Sequence, residues 1–455
     1  VKKMTPRDLA CAALGGPDQV PGFSERYLDK EFRKKKDLSQ RDKALAVHLV
    51  QGVLRWRLRL DWIIEQASRF PFKKIEQPIL NILRLALYQI FFMDRIPDSA
   101  AVNEAVKQTR FLGHAHLTRF VNGILREICR RKEALSFPDR TEDSVSYFSV
   151  FHSYPPWLVE KWIGELGVKD AESLMVEGNR IPGMVIRANR HKTDVRTLMR
   201  GLEKEGVECR PTAVVPGALR IENPGRSIAQ LSAFKDGLFQ VQGEAAQVCS
   251  ILLSPGPEET VLDLCSGLGG KAFHMAEMAG EEARITALDT SHGRLISLSE
   301  NAQRLGIGCI DPVTADAVTA LPFGRDCGFD RIMVDAPCSA LGTISRHPDA
   351  KWSRKAEDIE RLAGIQAAIL SGACPLLKKG GKLLYATCTI SREENEMVVH
   401  GFLERHPGME VVDLRRVVPD WGKGLINEEG FLKTFPHVHD MDGFFGALFV
   451  KKEIS

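Results

Sequence analysis

Two cysteines at matching positions frame the chemistry open to this chain. Cys338 stands in Asp335-Ala336-Pro337-Cys338-Ser339, and Cys388 in Ala386-Thr387-Cys388-Thr389. Each follows an apolar run that reads as a buried strand, Arg331-Ile332-Met333-Val334 in one case and Lys382-Leu383-Leu384-Tyr385 in the other. Ligands of open α/β sheets bind beyond the carboxyl ends of the strands. Two thiols delivered to that edge, downstream of a glycine-rich turn, predict covalent catalysis beside a nucleotide-like cofactor. A lone cysteine at a strand end is more often a small buried hydrophobe. Here both sit beside Thr or Ser in matching motifs, which favours reactivity.

The turn itself is Asp263-Leu264-Cys265-Ser266-Gly267-Leu268-Gly269-Gly270-Lys271, after the apolar run that starts at Val261. Its glycines permit positive φ and close backbone approach to a ligand at a helix N-terminus. Asp289 ends the next strand about twenty residues on, where a carboxylate can reach a ribose diol. Asp316 follows the third strand, in place to accept from an adenine amino group. Gly267, Gly269 and Ala272 also satisfy the GxGxxA dinucleotide fingerprint, so a nicotinamide-dependent oxidoreductase is the competing reading. Asp263, inside the strand before the loop, stands against it. The series of acids resembles that of S-adenosylmethionine methyltransferases, whose cofactor offers hydroxyls, amines and a sulfonium but no pyrophosphate.

These motifs need a scaffold, and 455 residues predict two or three domains. Hydrophobic content of 44% and charged content of 27% are those of a soluble globular protein. No apolar run reaches membrane-spanning length, and the N-terminus lacks the order of a signal peptide, so a cytoplasmic location is expected. Ten cysteines without a CxxC pair fit neither a disulfide framework nor a metal site. The net charge is only +3, but basic residues gather in the first third. Arg33-Lys34-Lys35-Lys36, the trio Arg55, Arg57 and Arg59, and the group Arg126, Arg130, Arg131 and Lys132 together predict a polyanion-facing region.

Residues Thr5 to Leu135 read as all-helical. Apolar stripes recur at Leu45, Leu49, Val53 and Trp56, at Ile79, Leu83, Leu87 and Phe91, and at Phe120, Ile124 and Ile128. Ser99 or Asn103 is expected to cap the helix that carries Val106. A polar, turn-rich linker spans Ser136 to Asp143. Pro155-Pro156-Trp157 then opens a helix through Trp162. Next come a strand at Met184 to Ala188, a helix at Asp194 to Glu205, and strands near Val207 and Leu219, ending near Leu238. That order resembles an RNA-recognition fold without its base-stacking aromatics. From Gly243 strands and helices alternate, which predicts a parallel, doubly wound, Rossmann-like sheet. The expected division is 1–138 helical, 145–240 small α+β, and 241–455 catalytic.

At the cysteine motifs the chain resembles the RNA cytosine-C5 methyltransferases, over the whole catalytic half. Carbon 5 of cytosine is a poor nucleophile; a thiolate adding to carbon 6 converts it into an enamine carbon that can take a methyl group. A group must then assist loss of the carbon-5 proton so that the thiol can leave. The reaction also needs an acid partner at the pyrimidine N3 edge, a role open to Asp335. The resemblance implies that Cys388 is the nucleophile and that Cys338 assists release. It implies cofactor contacts from Cys265, Ser266, Gly267, Leu268, Gly269, Gly270 and Lys271 and from Asp289, Asp316 and Asp335, with S-adenosyl-L-methionine bound and no metal. DNA cytosine methyltransferases take their nucleophile from the Pro-Cys motif, so the second cysteine-bearing strand favours RNA. Gly342-Thr343, Arg346-His347-Pro348-Asp349, Lys351-Trp352 and Asp442-Gly443-Phe444-Phe445 match other family landmarks. The family loop commonly reads Cys-Ala-Ala-Pro-Gly-Gly-Lys; Ser266-Gly267-Leu268 replaces Ala-Ala-Pro here, which predicts altered loop geometry with cofactor binding kept.

Leu54-Arg55-Trp56, Ala86-Leu87-Tyr88-Gln89, Asn103-Glu104-Ala105-Val106 and Phe120-Val121-Asn122-Gly123-Ile124-Leu125-Arg126 resemble the NusB antitermination-factor fold, a helical RNA-binding bundle. Joined to this catalytic half, it resembles the bacterial RsmB/Sun-type 16S ribosomal RNA (cytosine-C5) methyltransferases. That resemblance implies a cytosine in 16S ribosomal RNA as target, naked or in an early-assembled small subunit, and a monomeric enzyme without membrane contact. A transfer-RNA methyltransferase and a non-catalytic RNA-binding factor are the remaining alternatives.

Overall fold

The computed structural model describes residues 4–453 apart from 18–19, 21, 36, 320 and 325–326. By compactness it divides into two units, Val1–Ile181 with Ile344–Ala356, and Pro182–Thr343 with Glu357–Ser455.

The first unit holds helices α1 (Pro6–Ala13), α2 (Phe23–Lys34), α3 (Gln40–Ala67), α4 (Gln77–Phe92), α5 (Asp98–Phe111), α6 (Thr118–Arg130), α7 (Ser144–His152) and α8 (Pro156–Gly178). α1 starts on a reciprocal cap, in which the Thr5 hydroxyl accepts from the Asp8 amide and the Asp8 carboxylate accepts from the Thr5 amide. α4 is apolar on nearly every face, so it forms the centre, with α1, α3, α5 and α6 packed around it. Leu49, Val53, Ile79, Leu83, Leu87, Ile124 and Ile128 share its core. α5 begins directly after Pro97 with no side-chain cap, which puts Ser99 and Asn103 inside the helix instead of capping it. Asp143, at the end of the expected linker, caps α7 by accepting from the Ser146 amide at 2.9 Å. α8 runs well past Trp162, interrupted where Gly167 takes φ 78°.

The basic trio does not form the expected exposed patch. Arg55 and Arg59 lie four residues apart, on one helix face, and that face turns inward. Arg55 is buried and donates to the Ser345 carbonyl at 2.5 Å, while the Arg59 guanidinium sits 4.5 Å from the Phe151 ring centre. Within the three basic groups the exposed residues are Arg33 and Lys34 on α2, Arg126 and Arg130 on α6, and Arg131 just past it. Lys36 lies outside the described residues.

Ile344–Ala356 completes this helical unit from far along the chain. Lys351 is fully buried there, and its ammonium donates to the Arg55 and Ser153 carbonyls, both at 3.0 Å, and to Asn179 Oδ1 at 2.7 Å. Burial first, and the charge of Arg55 second, push its pKa well down. Trp352 donates to the Leu54 carbonyl and Asp349 accepts from the Gly22 amide. His347 remains exposed.

The second unit contains two sheets. Strands β1 (Met184–Ala188), β2 (Glu208–Pro211), β3 (Ala218–Asn223) and β4 (Phe239–Val241) pair antiparallel in the order β2-β3-β1-β4. β4 carries the small sheet past Leu238, and Asp194 caps the helix Val195–Lys204 that crosses it. The larger sheet holds β5 (Thr260–Asp263), β6 (Arg284–Asp289), β7 (Ile310–Thr314), β8 (Phe329–Asp335), β9 (Leu377–Thr387), β10 (Met409–Val412), β11 (Leu432–Lys433) and β12 (Phe445–Lys451). Its order is β10-β12-β9-β8-β5-β6-β7, with β11 also paired to β12.

Strands β5 to β9 are parallel, as alternation predicts. β12 is antiparallel to β9, β10 and β11. The connection from β11 into β12 has no room for the crossover helix that a parallel return demands. Strand order reverses between β5 and β8, where an open sheet of this kind forms its ligand crevice.

Candidate active site

Asp263 and Asp335 end the two strands that flank this switch point. The turn after β5 is shaped by backbone bonds to β6. The Ser266 amide donates to the Leu288 carbonyl at 2.9 Å, and the Gly267 amide to Asp289 Oδ2 at 3.1 Å. Gly267 and Gly269 take φ of 57° and 86°, which side-chain-bearing residues avoid. At Gly269 a Cβ would also press on Phe273 and Leu298; at Gly267 and Gly270 it would meet open space. The loop therefore keeps a glycine turn in place of the family's proline.

Asp263 is fully buried with both carboxylate oxygens unpartnered. Burial, then the charge of Asp335, push its pKa up to about 7; the charge of Lys271 and the Cys265 amide oppose this. Cys265 is pushed up by burial and by the surrounding aspartates, which makes it an inert thiol. Asp289 is held by the Gly267 and Ser291 amides, whereas Asp316 is exposed and accepts from the Val318 amide. Lys271 lies 2.5 Å from Asp335 Oδ2 and 5.2 Å from the Phe444 ring centre. Burial alone would lower the pKa of Lys271, but the ion pair outweighs it and the net direction is upward.

β8 and β9 run in register, with Asp335 opposite Ala386, so the residues beyond them emerge together. The Cys338 and Cys388 sulfurs are 3.1 Å apart. Cys338 is buried and Cys388 is partly open. The hydrogen bond to Cys388, burial, and the charges of Cys388 and Glu394 push the Cys338 thiol well up.

Gly342 locks the two loops together. Its amide donates to the Cys388 carbonyl at 3.0 Å, its carbonyl accepts from Gly443 at 2.8 Å, and a Cβ there would collide with the Gly443 carbonyl. Thus the loops carrying the Pro-Cys-Ser and Thr-Cys-Thr motifs and the Asp442–Phe445 segment, far apart in sequence, are tied by backbone hydrogen bonds at Gly342.

Sequence reasoning missed the residues that hold these loops. Glu394 is fully buried and accepts from the Ser339 amide at 2.9 Å, from the Ser339 hydroxyl, and from Gln366 Nε2 at 2.9 Å. Asn395, its neighbour, accepts from the Thr387 hydroxyl at 2.6 Å and donates to the Thr389 carbonyl at 3.0 Å. The run Arg392-Glu393-Glu394-Asn395-Glu396 looks like a solvated face. The one signal available was its position immediately after the Thr-Cys-Thr motif.

Among the described residues no group of three or more His, Cys, Asp or Glu side chains could hold a metal ion. No described helix is long and apolar enough to cross a membrane.

The seven-strand order and the glycine turn at its switch point define a Rossmann-like methyltransferase fold. Three family models cover most of the chain. The 16S rRNA methyltransferase RsmB/F model matches residues 250–450, the NusB family model 4–130, and the RsmF/B-like ferredoxin-like domain model 154–228. The chain is 35% identical over 453 residues to the probable ribosomal RNA small subunit methyltransferase B of Bacillus subtilis (strain 168), covering 99% of this chain and 100% of that one. To the ribosomal RNA small subunit methyltransferase B of Escherichia coli O157:H7 it is 34% identical, covering 98% and 99%. The solved structure of PH0851 aligns with TM-score 0.81 at 28% identity, over 99% of this chain and all of that one. The chain belongs to the RsmB/F family of 16S rRNA methyltransferases.

Proposed function

We propose that this protein methylates carbon 5 of a cytosine in 16S ribosomal RNA, using S-adenosyl-L-methionine and a covalent bond between Cys388 and carbon 6. The observation that carries the reading is the pair of sulfurs 3.1 Å apart at the ends of adjacent parallel strands. One thiol can add to the ring while the other waits within reach.

The residues present suit the cofactor. Asp263 offers two buried acceptors without partners, Asp289 ends β6, Asp316 follows β7, and open space lies over Gly267 and Gly270. Acceptors of this kind fit an ammonium, a ribose diol and an adenine amine; none of them fits a pyrophosphate. When bound, S-adenosyl-L-methionine supplies an electrophilic methyl group.

The chain's own residues supply the rest. Lys271 donates to one Asp335 oxygen and so orients that carboxyl group at the pyrimidine edge. Cys338 holds its proton while the free Cys388 sulfur hydrogen-bonds to it and repels negative charge. Both influences vanish once Cys388 is bonded to carbon. Against the remaining effects of burial and the Glu394 charge, Cys338 then gives up its own proton before it takes the one on carbon 5. The cytosine must be unstacked to reach these groups, and the exposed basic residues of α2 and α6 supply phosphate contacts, so binding weakens with salt. The division into 1–138, 145–240 and 241–455 belongs to the same reading, as does action by a monomer on naked or early-assembled RNA.

The test is a pair of variants assayed with labelled methyl donor and small-subunit RNA. Cys388→Ala should abolish turnover, by about 1,000-fold or more, with cofactor affinity nearly intact. Cys338→Ala should trap a covalent RNA–protein adduct. Undiminished turnover in the Cys388 variant would refute the assignment.

A further inference from the structure

Two adjacent buried side chains, Glu394 and Asn395, each hold one cysteine-bearing loop, and they hold different ones. Glu394 grips the residue after Cys338, through the Ser339 amide and hydroxyl. Gln366 joins that grip, donating from the same Nε2 to Glu394 Oε1 and to the carbonyl of Pro337, the residue before Cys338, at 3.0 Å. Asn395 grips both neighbours of Cys388, the Thr387 hydroxyl and the Thr389 carbonyl. Both side chains are fully buried. The two grips touch where the Ser339 and Thr389 hydroxyls lie 2.7 Å apart. The backbone between them is pinned in turn, since the Tyr385 hydroxyl donates to the Glu394 carbonyl at 2.5 Å.

We propose that Glu394 and Asn395 are positioning residues for opposite halves of the reaction. Glu394 sets Cys338 for release of product, and Asn395 sets Cys388 for addition to the ring. Neither touches the reacting atoms. In the addition half, the Cys388 sulfur, its proton lost to solvent, bonds to carbon 6, the double bond between carbons 5 and 6 breaks with its pair shifting to carbon 5, and carbon 5 would then take the methyl group that the cofactor supplies. In release, the carbon-5 proton passes to Cys338, its bonding pair re-forms the double bond between carbons 5 and 6, and the pair from the breaking carbon–sulfur bond returns to Cys388. An error of about 1 Å in either sulfur costs about 100-fold in rate, and each half has its own sulfur to misplace.

This inference rests on the covalent reading above and divides it into two separately testable steps. The experiment measures methyl transfer, cofactor binding and covalent RNA–protein adduct on denaturing gels, with the full-length protein and small-subunit RNA. Glu394→Gln keeps the side chain's size but presents an amide to Gln366. It should slow turnover about 10- to 100-fold while adduct accumulates, as in Cys338→Ala. Asn395→Ala should slow turnover by a similar factor with adduct reduced below wild type. Retained cofactor binding shows that each variant is folded; Asn395→Asp, which keeps the acceptor for Thr387, replaces Asn395→Ala if that variant does not fold. Loss of adduct in both variants, or gain in both, would overturn the division of labour. If Cys388→Ala itself remains active, the covalent reading fails first, and that result is distinguishable from the failure of this one.

Discussion

Lys271 in the catalytic unit and Lys351 in the helical unit are both buried, yet their surroundings differ in kind. Lys271 faces the Asp335 carboxylate at 2.5 Å, and its pKa rises in spite of burial. Lys351 faces two carbonyls, one amide oxygen and the Tyr154 ring at 3.6 Å, with Arg55 as a nearby like charge, and its pKa falls well below the ordinary value. A buried ammonium with a counter-ion keeps its charge and can shape the field at reacting atoms; one among neutral oxygens serves as a hydrogen-bonding bolt. Burial of a lysine therefore marks a reactive centre only when an opposite charge answers it.

Removing each lysine separates the two roles. Lys271→Met leaves Asp335 without its partner, and methyl transfer should fall by about 100-fold with a small change in melting temperature. Lys351→Met strands three buried acceptors, so it should cost about 3 kcal/mol of stability in urea melts, with methyl transfer at low temperature reduced less than 10-fold. Equal losses of activity in the two variants would erase the contrast.

The smallest effect concerns pH. The native pKa of Asp263, about 7, lies above the ordinary aspartate value. Between about pH 4 and pH 7 the native protein therefore binds more protons here than the unfolded chain does, and cofactor-free stability falls as pH rises through that window. Asp263→Asn should flatten this slope in thermal melts and weaken cofactor binding. A slope unchanged by the substitution would show that Asp263 is not its source.

The catalytic strands were readable because apolar runs ending in Asp-Ala-Pro-Cys or Thr-Cys-Thr leave few other placements, and the glycine turn with Asp289 fixed β5 and β6 beside them. What stayed hidden depends on partners remote in sequence. Glu394 and Asn395 look solvated until Ser339, Gln366 and Thr389 arrive around them. Arg55 looked like a phosphate contact because nothing nearby in sequence shows that its partner is the carbonyl of Ser345. Lys351 and Trp352 read as family landmarks, but their place in the helical core is set by α3. The direction of β12 was likewise a matter of connection length, which a local apolar run does not report.

Ile344–Ala356 has a consequence for how the protein is made. The helical unit's first stretch, through Ile181, leaves the ribosome about 160 residues before its last piece. At bacterial elongation rates of about 5–20 residues per second, the nascent bundle waits roughly ten to thirty seconds with the Arg55, Ser153 and Asn179 oxygens solvated by water. Synthesis of Lys351, long after the helices it bolts together, is what lets the helical unit finish folding.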